Sequence, residues 1–211
     1  MTLSPPPHLN ARKMPRQARS KATLDTIFEA TIQVLVTDGP RRLTTTRVAE
    51  RAGVSVGTMY QYFPHKQALF YALNERYLTD LAEQVETACR AQRGRPIEQM
   101  VVALVTTYWE AKTARPEVTR ALYRSVAELD NESLVEAFGR RVDAATADML
   151  ASTSDASIAD LPTVNLTLLA TVFGTVRHLF ERNLPASEAD AVRGQLIRMC
   201  AGYLESAARK S

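Results

Sequence analysis

The chain contains one short run whose residue types are typical of nucleophilic catalysis. Gly53-Val54-Ser55-Val56-Gly57 matches the Gly-x-Ser-x-Gly pattern, in which a serine lies on a sharp turn between a strand and a helix. His178 follows it in the order expected of a hydrolase triad. That turn needs a buried strand before the serine, whereas residues 48–52 are charged and helical in pattern. A serine hydrolase is therefore kept only as an alternative.

Other candidates for metal binding or thiol chemistry are scattered. His8, His65 and His178 show no His-x-x-x-His or Cys/His spacing that would hold a metal. Cys89 and Cys200 form no Cys-x-x-Cys pair, which excludes a thiol redox site and a disulfide framework. We therefore predict no catalytic residue, no metal and no cofactor, in a chain that suits the reducing cytoplasm.

Basic residues are concentrated in the first third of the chain. Residues 1–66 hold ten Lys and Arg against four acids, a net charge of +6, whereas residues 67–211 carry −3. This asymmetry favours a head that binds a polyanion, on a near-neutral body. A basic tail with ordinary solvated charges is the alternative. Hydrophobic residues make up 45% of the 211, and no apolar run is long enough for a membrane span, so we expect a soluble intracellular protein.

Nearly every segment has the hydrophobic period of a helix, and alternating strand patterns are missing. We predict an all-α fold of about nine helices, separated by breaks such as Asp38-Gly39-Pro40 and Gly94-Arg95-Pro96. Ser187 and Asp190 are spaced to cap the last helix. The predicted helices cover about 20–37, 45–52, 55–62, 66–89, 97–114, 116–129, 132–151, 162–183 and 187–209.

The second and third of these helices are joined through Gly53 and predict a helix-turn-helix. Each has only about two turns, so they must pack on each other and on a third helix to be stable. An ordinary helical hairpin in a core is the alternative. The predicted buried set is Val48, Ala52, Val54, Met59 and Tyr62, packed on Leu24 and Phe28. The predicted outward set is Ser55, Val56, Gly57, Thr58, Tyr60 and Gln61.

The run that starts at Leu43, LTTTRVAERAGVSVGTMYQYFPHKQALF, resembles the DNA-binding head of the tetracycline-repressor family of bacterial transcriptional regulators. The resemblance covers about residues 19–72. It implies that Thr44, Thr45 and Thr46 contact phosphates and that Ser55 caps the recognition helix. It also implies that Val56, Gly57 and Thr58 meet the major groove, that Tyr60 and Tyr62 reach phosphates or a thymine methyl, and that Lys66 binds a phosphate. His65 departs from the family's usual helix-capping residues.

Hydrogen-bonding capacity is low at Val56 and Gly57, so base recognition is expected to rest partly on apolar contact and DNA shape. Before the head lies a basic tail that we expect to be disordered and to make weak, non-specific phosphate contacts, or simply to be solvated. The basic residues in this tail and directly after it are Arg12, Lys13, Arg16, Arg19 and Lys21. The predicted domains are the tail at 1–18, the DNA-binding head at 19–66 and a ligand-sensing and dimerisation domain at 67–211.

The last two predicted helices favour a homodimer. Small side chains recur at helical spacing along 162–183 and would let another helix approach closely; the alternative is that these faces serve only the core. This small-residue seam consists of Thr167, Ala170, Thr171, Gly174, Thr175 and His178. On the last helix the interface candidates are Leu196, Cys200 and Tyr203.

Aromatic and long apolar residues in the middle helices suggest a cavity for an apolar ligand, with an ordinary core as the alternative. These candidates are Met100, Leu104, Tyr108, Trp109, Tyr123, Phe138 and Phe173. The resulting hypothesis is a cytoplasmic, nucleoid-associated, non-enzymatic repressor that leaves a palindromic operator in double-stranded DNA when a small effector binds. The alternative from another class is an α-helical enzyme or scaffold that retains the head.

Overall fold

The computed structural model describes residues 18–126, 131–182 and 184–210. Within these residues the chain forms nine α-helices and one small antiparallel sheet, which confirms the prediction of an all-α fold. Residues 1–17, which include most of the predicted basic tail, lie outside the described part. The elements are α1 (Ala18–Asp38), α2 (Thr45–Ala52), α3 (Val56–Tyr62), α4 (Lys66–Gln92), α5 (Ile97–Thr113), α6 (Pro116–Val126), α7 (Glu132–Ala151), β1 (Ala156–Ile158), α8 (Leu161–Arg182), α9 (Ala186–Ala207) and β2 (Ala208–Lys210).

The last helix and the residues after it depart from the sequence prediction in two ways. The last helix stops at Ala207, and Ala208–Lys210 pairs antiparallel with Ala156–Ile158. Three-residue strands carry too little alternation to be recognised in a sequence. The proposed cap is also wrong, because α9 begins at Ala186 after Pro185 and has no side-chain cap, so Ser187 lies inside the first turn.

The chain divides into two compact units, of which the first comprises residues up to Leu78 and Glu117–Val135. Its core forms where α1, α2, α3 and the start of α4 pack together with α6. Val48, Ala49 and Met59 are fully buried, while Ala52 and Val54 of the predicted buried set are only partly buried. On the rim of this core, Arg76 pairs with Asp25 and lies over the Phe28 ring.

The second unit comprises Thr79–Pro116 and Glu136–Ser211. In it α9 packs against α5 and α8. Arg141 of α7 donates two parallel hydrogen bonds to Glu86 of α4, Nε to Oε1 at 2.7 Å and Nη2 to Oε2 at 2.9 Å. These bonds lower the pKa of Glu86. Helix α5 is capped from a distance, because Asp155 Oδ1 accepts the Ile97 N–H at 3.1 Å. Bonds from Thr153 Oγ1 and from Ile97 accordingly lower the pKa of Asp155.

Candidate nucleic-acid interface

Helix α2 begins at a capping threonine and ends at a glycine that the turn requires. Thr44 is extended and its Oγ1 accepts the Arg47 N–H at 3.2 Å. Gly53 has a φ of 65°, the left-handed conformation that L side chains rarely adopt. Of the three threonines predicted to contact phosphates, Thr44 and Thr46 are exposed, whereas Thr45 is buried. Thr45 therefore belongs to the packing of α2 rather than to its surface.

Helix α3 presents one apolar and open face to solvent. Ser55 Oγ accepts the Thr58 N–H at 3.0 Å and lies 2.9 Å from Thr58 Oγ1, so Ser55 caps this helix. Val56 and Tyr60 are 41% and 43% exposed, and Gly57 and Gln61 are exposed beside them. Thr58 is half-buried. The structure thus exposes the residues that the sequence predicted on this surface, except that Thr58 is half-buried.

Tyr62 differs from its neighbours on α3, because it was expected both in the core and at the DNA. The structure leaves only 5% of it exposed, and its ring lies 6.3 Å from that of Phe63, centroid to centroid. Met59, one turn earlier, is completely buried. The Tyr62 ring thus supports α3 from inside, so a contact between this ring and DNA is corrected to a core role.

The start of α4 supplies the cap that the sequence left open. His65 Nδ1 accepts the Ala68 N–H at 3.2 Å, so the imidazole replaces the oxygen of an ordinary capping side chain. Lys66 is half-buried, its Nζ donates to the Pro40 carbonyl at 3.3 Å, and it lies 5.9 Å from the centroid of the Phe70 ring. Lys66 therefore joins α4 to the loop after α1 as well as standing near the surface.

Exposed guanidinium groups surround these helices. Arg41 and Arg42 lie in the loop before α2, and Arg47 and Arg51 lie on it. Arg47 Nη1 donates to Asp38 Oδ2 at 3.0 Å, a half-exposed pair that water and salt screen strongly. Residues 41–51 thus carry a net positive charge, four arginines against Glu50, as an approach to a phosphate backbone requires.

The same geometry removes the basis for a hydrolase. The residues that precede Gly53 form α2 and not a strand, so Ser55 caps a helix instead of standing on a strained turn after a buried strand. In the described residues, no group of three or more His, Cys, Asp or Glu is arranged to hold a metal ion. No helix of the described residues is long and apolar enough to cross a membrane.

Comparison with known protein families decides the class. A profile of tetracyclin repressor-like C-terminal domains matches residues 96–204, more than half of the chain. A profile of bacterial regulatory proteins of the tetR family matches residues 27–73, which contain α2 and α3. The chain belongs to the tetR family. The predicted class of DNA-binding regulator is thereby confirmed at the level of the family.

Individual relatives are similar to this chain in sequence or in fold. The nucleoid occlusion factor SlmA of Haemophilus ducreyi is 32% identical over 123 residues, 58% of this chain and 59% of the relative. This tetR-family chain therefore matches a little over half the length of that relative. Among solved structures, the fatty acid degradation regulator FadR from Bacillus halodurans is similar in fold, with a TM-score of 0.68, 15% identity and coverage of 90% and 97%. The SmeT–triclosan complex has a TM-score of 0.67, 20% identity and coverage of 89% and 92%.

In the tetR-family chain, most predicted ligand contacts lie in the second unit. The Tyr108 ring centroid lies 4.5 Å from that of Phe173, which lies 5.7 Å from that of Phe138. Met100, Leu104 and Trp109 are buried on α5. Tyr123, by contrast, belongs to the first unit. Contact between any of these predicted residues and a ligand stays a prediction.

The predicted dimer residues fall into two groups. Thr167, Gly174 and His178 of the small-residue seam are exposed on α8, and Thr171 is half-buried there. Leu196 and Cys200 are only 2% exposed, because their face of α9 packs inside the protomer, so they are removed from the candidate interface. Tyr203 is half-buried, and the exposed apolar side chains of these two helices are Leu166 and Met199.

One residue of the second unit was missed by sequence reasoning. Lys112, in the last turn of α5, is 3% exposed, and its Nζ lies 5.5 Å from the centroid of the Tyr108 ring. Burial lowers the pKa of Lys112 to about 7. The available signal was its spacing, since Lys112 follows Tyr108 by four residues and so continues the apolar face of α5.

Proposed function

We propose that the chain is a homodimeric repressor that binds a palindromic operator and leaves it when a small ligand binds the second unit. The observation that carries this proposal is the exposed face of α3, whose opposite face packs into the core of the first unit. In a helix-turn-helix, the second helix lies in the major groove while the first crosses the backbone. Thr44, Thr46 and Lys66 then contact phosphates, and Val56, Gly57 and Thr58 meet base edges.

The experiment uses the full chain and duplexes cut from the DNA upstream of its own gene. Fluorescence anisotropy should give a much higher affinity for one such duplex than for a scrambled duplex of equal length and composition. Tyr60→Ala should weaken the specific complex without loss of helix content, since Tyr60 is 43% exposed. Equal affinity for all duplexes over a range of salt concentrations would contradict sequence-specific binding.

Dimerisation through α8 is the second element of the proposal, because two half-sites require two heads. A Cβ added at Gly174 meets nothing within 4 Å in the protomer, so Gly174→Leu should fold normally. It should nevertheless separate the subunits, because the larger side chain blocks a close helix approach across the seam. Analytical ultracentrifugation measures the mass of the assembly, with Gly139→Leu as the control, since a Cβ at that glycine also meets nothing within 4 Å and it lies on α7, outside the predicted interface. A Gly174→Leu dimer with full DNA affinity would move the interface elsewhere.

A ligand site among the aromatic residues of the second unit is the third element. Tyr108, Phe138 and Phe173 cluster there, and α4 contributes residues to both units, up to Leu78 in the first and from Thr79 in the second. The head and the second unit are thus joined by one continuous helix, along which a ligand-induced shift of its second half would reach the head. Phe173→Ala should lower the ligand response while leaving operator affinity in its absence unchanged.

A second candidate function comes from the relatives named nucleoid occlusion factors. Chromatin immunoprecipitation of the tagged wild-type chain distinguishes the two. A few sites beside regulated genes support the repressor, whereas sites distributed over much of the chromosome support a role in nucleoid occlusion. We propose no enzymatic activity, since the two family matches, residues 27–73 and 96–204, cover most of the described chain.

A further inference from the structure

We propose that the chain recognises its operator chiefly through the 5-methyl groups of thymine, which are contacted by the methyl groups of Val56 and Thr58. This inference rests on the proposed function, since it requires α3 to lie in the major groove. It adds the chemical class of the bases that this face selects. Its evidence is the chemistry of the exposed side chains on α3.

The first turn of α3 offers methyl groups in place of hydrogen-bonding groups. Val56 is 41% exposed and carries two methyl groups with no donor or acceptor. Gly57 adds no side chain, and the nearest atom to a Cβ built there is Ser55 Oγ at 3.7 Å, so the space in front of Gly57 is open. A groove wall can therefore come within van der Waals distance of Val56.

The capping hydrogen bonds between Ser55 and Thr58 favour an apolar contact at Thr58 as well. Its hydroxyl lies 2.9 Å from Ser55 Oγ, and that oxygen also accepts the Thr58 N–H at 3.0 Å. One hydroxyl hydrogen is used inside this pair, so the Ser55–Thr58 pair has a single hydroxyl hydrogen left to donate. The remaining group of the Thr58 side chain is its methyl, which an apolar contact can use, since Thr58 is half-buried and not enclosed in the core.

The major groove distinguishes thymine from the other bases by its C5 methyl group. Arg and Lys typically recognise guanine there, and Asn and Gln recognise adenine. None of these four residue types occurs between Ser55 and Tyr60. Gln61 is exposed, but it lies in the last turn of α3, whereas the first residues of a recognition helix make the base contacts. The face is therefore selective for thymine methyl groups.

The test removes that methyl group from the DNA. A duplex is first enriched from a random library by the full-length wild-type chain, and is then synthesised with deoxyuridine in place of each thymidine in turn. Uracil pairs with adenine as thymine does but lacks the methyl group. Loss of one buried methyl contact should weaken binding about fourfold. Symmetric replacement in both half-sites should therefore weaken it about 15-fold, while scrambled duplexes should bind equally in both forms.

Protein variants assign the contact. The affinity for the thymine duplex divided by that for the uracil duplex is the thymine-to-uracil ratio. Val56→Ala should reduce this ratio to nearly one at the base that Val56 contacts. Thr58→Ser, which keeps the hydroxyl, should lose the ratio at its own base, and Thr58→Val, which keeps the methyl, should retain it. Gln61→Ala is the control and should leave both ratios unchanged. Unchanged thermal melting by circular dichroism confirms that each variant is folded.

The outcomes separate the two proposals. If the library yields no enriched sequence, the proposed function fails. If a sequence is enriched but its thymine and uracil forms bind wild-type protein equally, the repressor stands and methyl recognition is overturned. A large ratio that survives Val56→Ala and Thr58→Ser also overturns it, because the methyl groups are then contacted by other residues. A ratio lost only with these variants supports it.

Discussion

Replacing Lys112 with methionine should stabilise the protein at neutral pH. Lys112 is 3% exposed, and burial lowers the pKa of its ammonium from 10.5 to about 7. In the unfolded chain the same group holds its proton up to pH 10.5. Methionine has a similar length and no charge, so Lys112→Met removes the cost of burying the ammonium while keeping most of the packing.

The magnitude and its pH dependence follow from the two pKa values. Each tenfold difference in proton affinity corresponds to about 1.4 kcal/mol, so at pH 7 the burial of Lys112 costs about 4 kcal/mol. Between pH 7 and 10.5 the unfolded chain binds more protons, so the stability of the wild type rises with pH in this window. Below pH 7 the cost is complete, and above pH 10.5 it disappears. The ammonium also contacts the Tyr108 ring, worth about 1–2 kcal/mol. The gain from Lys112→Met at pH 7 is therefore smaller than about 4 kcal/mol, because methionine also gives up the contacts that the ammonium makes.

Urea unfolding, followed by far-UV circular dichroism at fixed protein concentration, measures this difference between pH 6 and 9. The fluorescence of Trp109, the only tryptophan and 3% exposed, provides a second signal. Lys21→Met on α1 is the control, because Lys21 is exposed and its replacement should change stability by no more than about 0.5 kcal/mol. The gain from Lys112→Met should shrink from pH 7 to pH 9. A less stable variant at pH 7, or a gain independent of pH, would refute the reasoning.

Three further substitutions test the head. Met59→Ala should destabilise it by about 2–5 kcal/mol in urea unfolding, because Met59 is completely buried; a loss under 1 kcal/mol would mean that α3 does not rest on this side chain. Lys66→Ala should make the slope of log K against log salt shallower by roughly 2 for a dimer and weaken specific and random DNA equally; an unchanged slope would exclude the phosphate contact. His65→Ala should lower the free energy of unfolding by about 1 kcal/mol, and His65→Asn should restore it. Failure of that rescue would argue against the cap.

The helices were predictable because their signals are local. Hydrophobic spacing and the breaks at Gly39-Pro40 and Gly94 are contained in a few consecutive residues, and most predicted helix ends lie within a few residues of the observed ones. The pairing of β1 with β2 joins residues 50 to 54 positions apart and leaves no local signal. The cap at His65 was equally hidden, because only its geometry shows that Nδ1 accepts the Ala68 N–H.

The sequence predicted which side chains of a helix are buried, but not which element packs against them. The pattern of α3 correctly separated Met59 from Val56 and Tyr60. On α9 the apolar face of Leu196 and Cys200 was recognised, but its partner was assigned to another subunit, whereas it packs inside the protomer. The hydrophobic period of a sequence predicts which face of a helix is buried, but it does not identify the residues that cover this face. The same ambiguity concealed Lys112, whose charge is unfavourable on a buried face.

Two glycines of the head separate what the fold requires from what recognition requires. Gly53 has a φ of 65°, so a side chain there strains the turn between α2 and α3. Gly57 is helical, is exposed, and has room for a Cβ at an ordinary contact distance of 3.7 Å from Ser55 Oγ. Alanine at this position would favour the helix by about 1 kcal/mol. Neither the backbone conformation nor the packing therefore requires glycine at position 57. A close approach of α3 to the groove, with Val56 and Thr58 on either side in the sequence, is the use that the proposed function gives it.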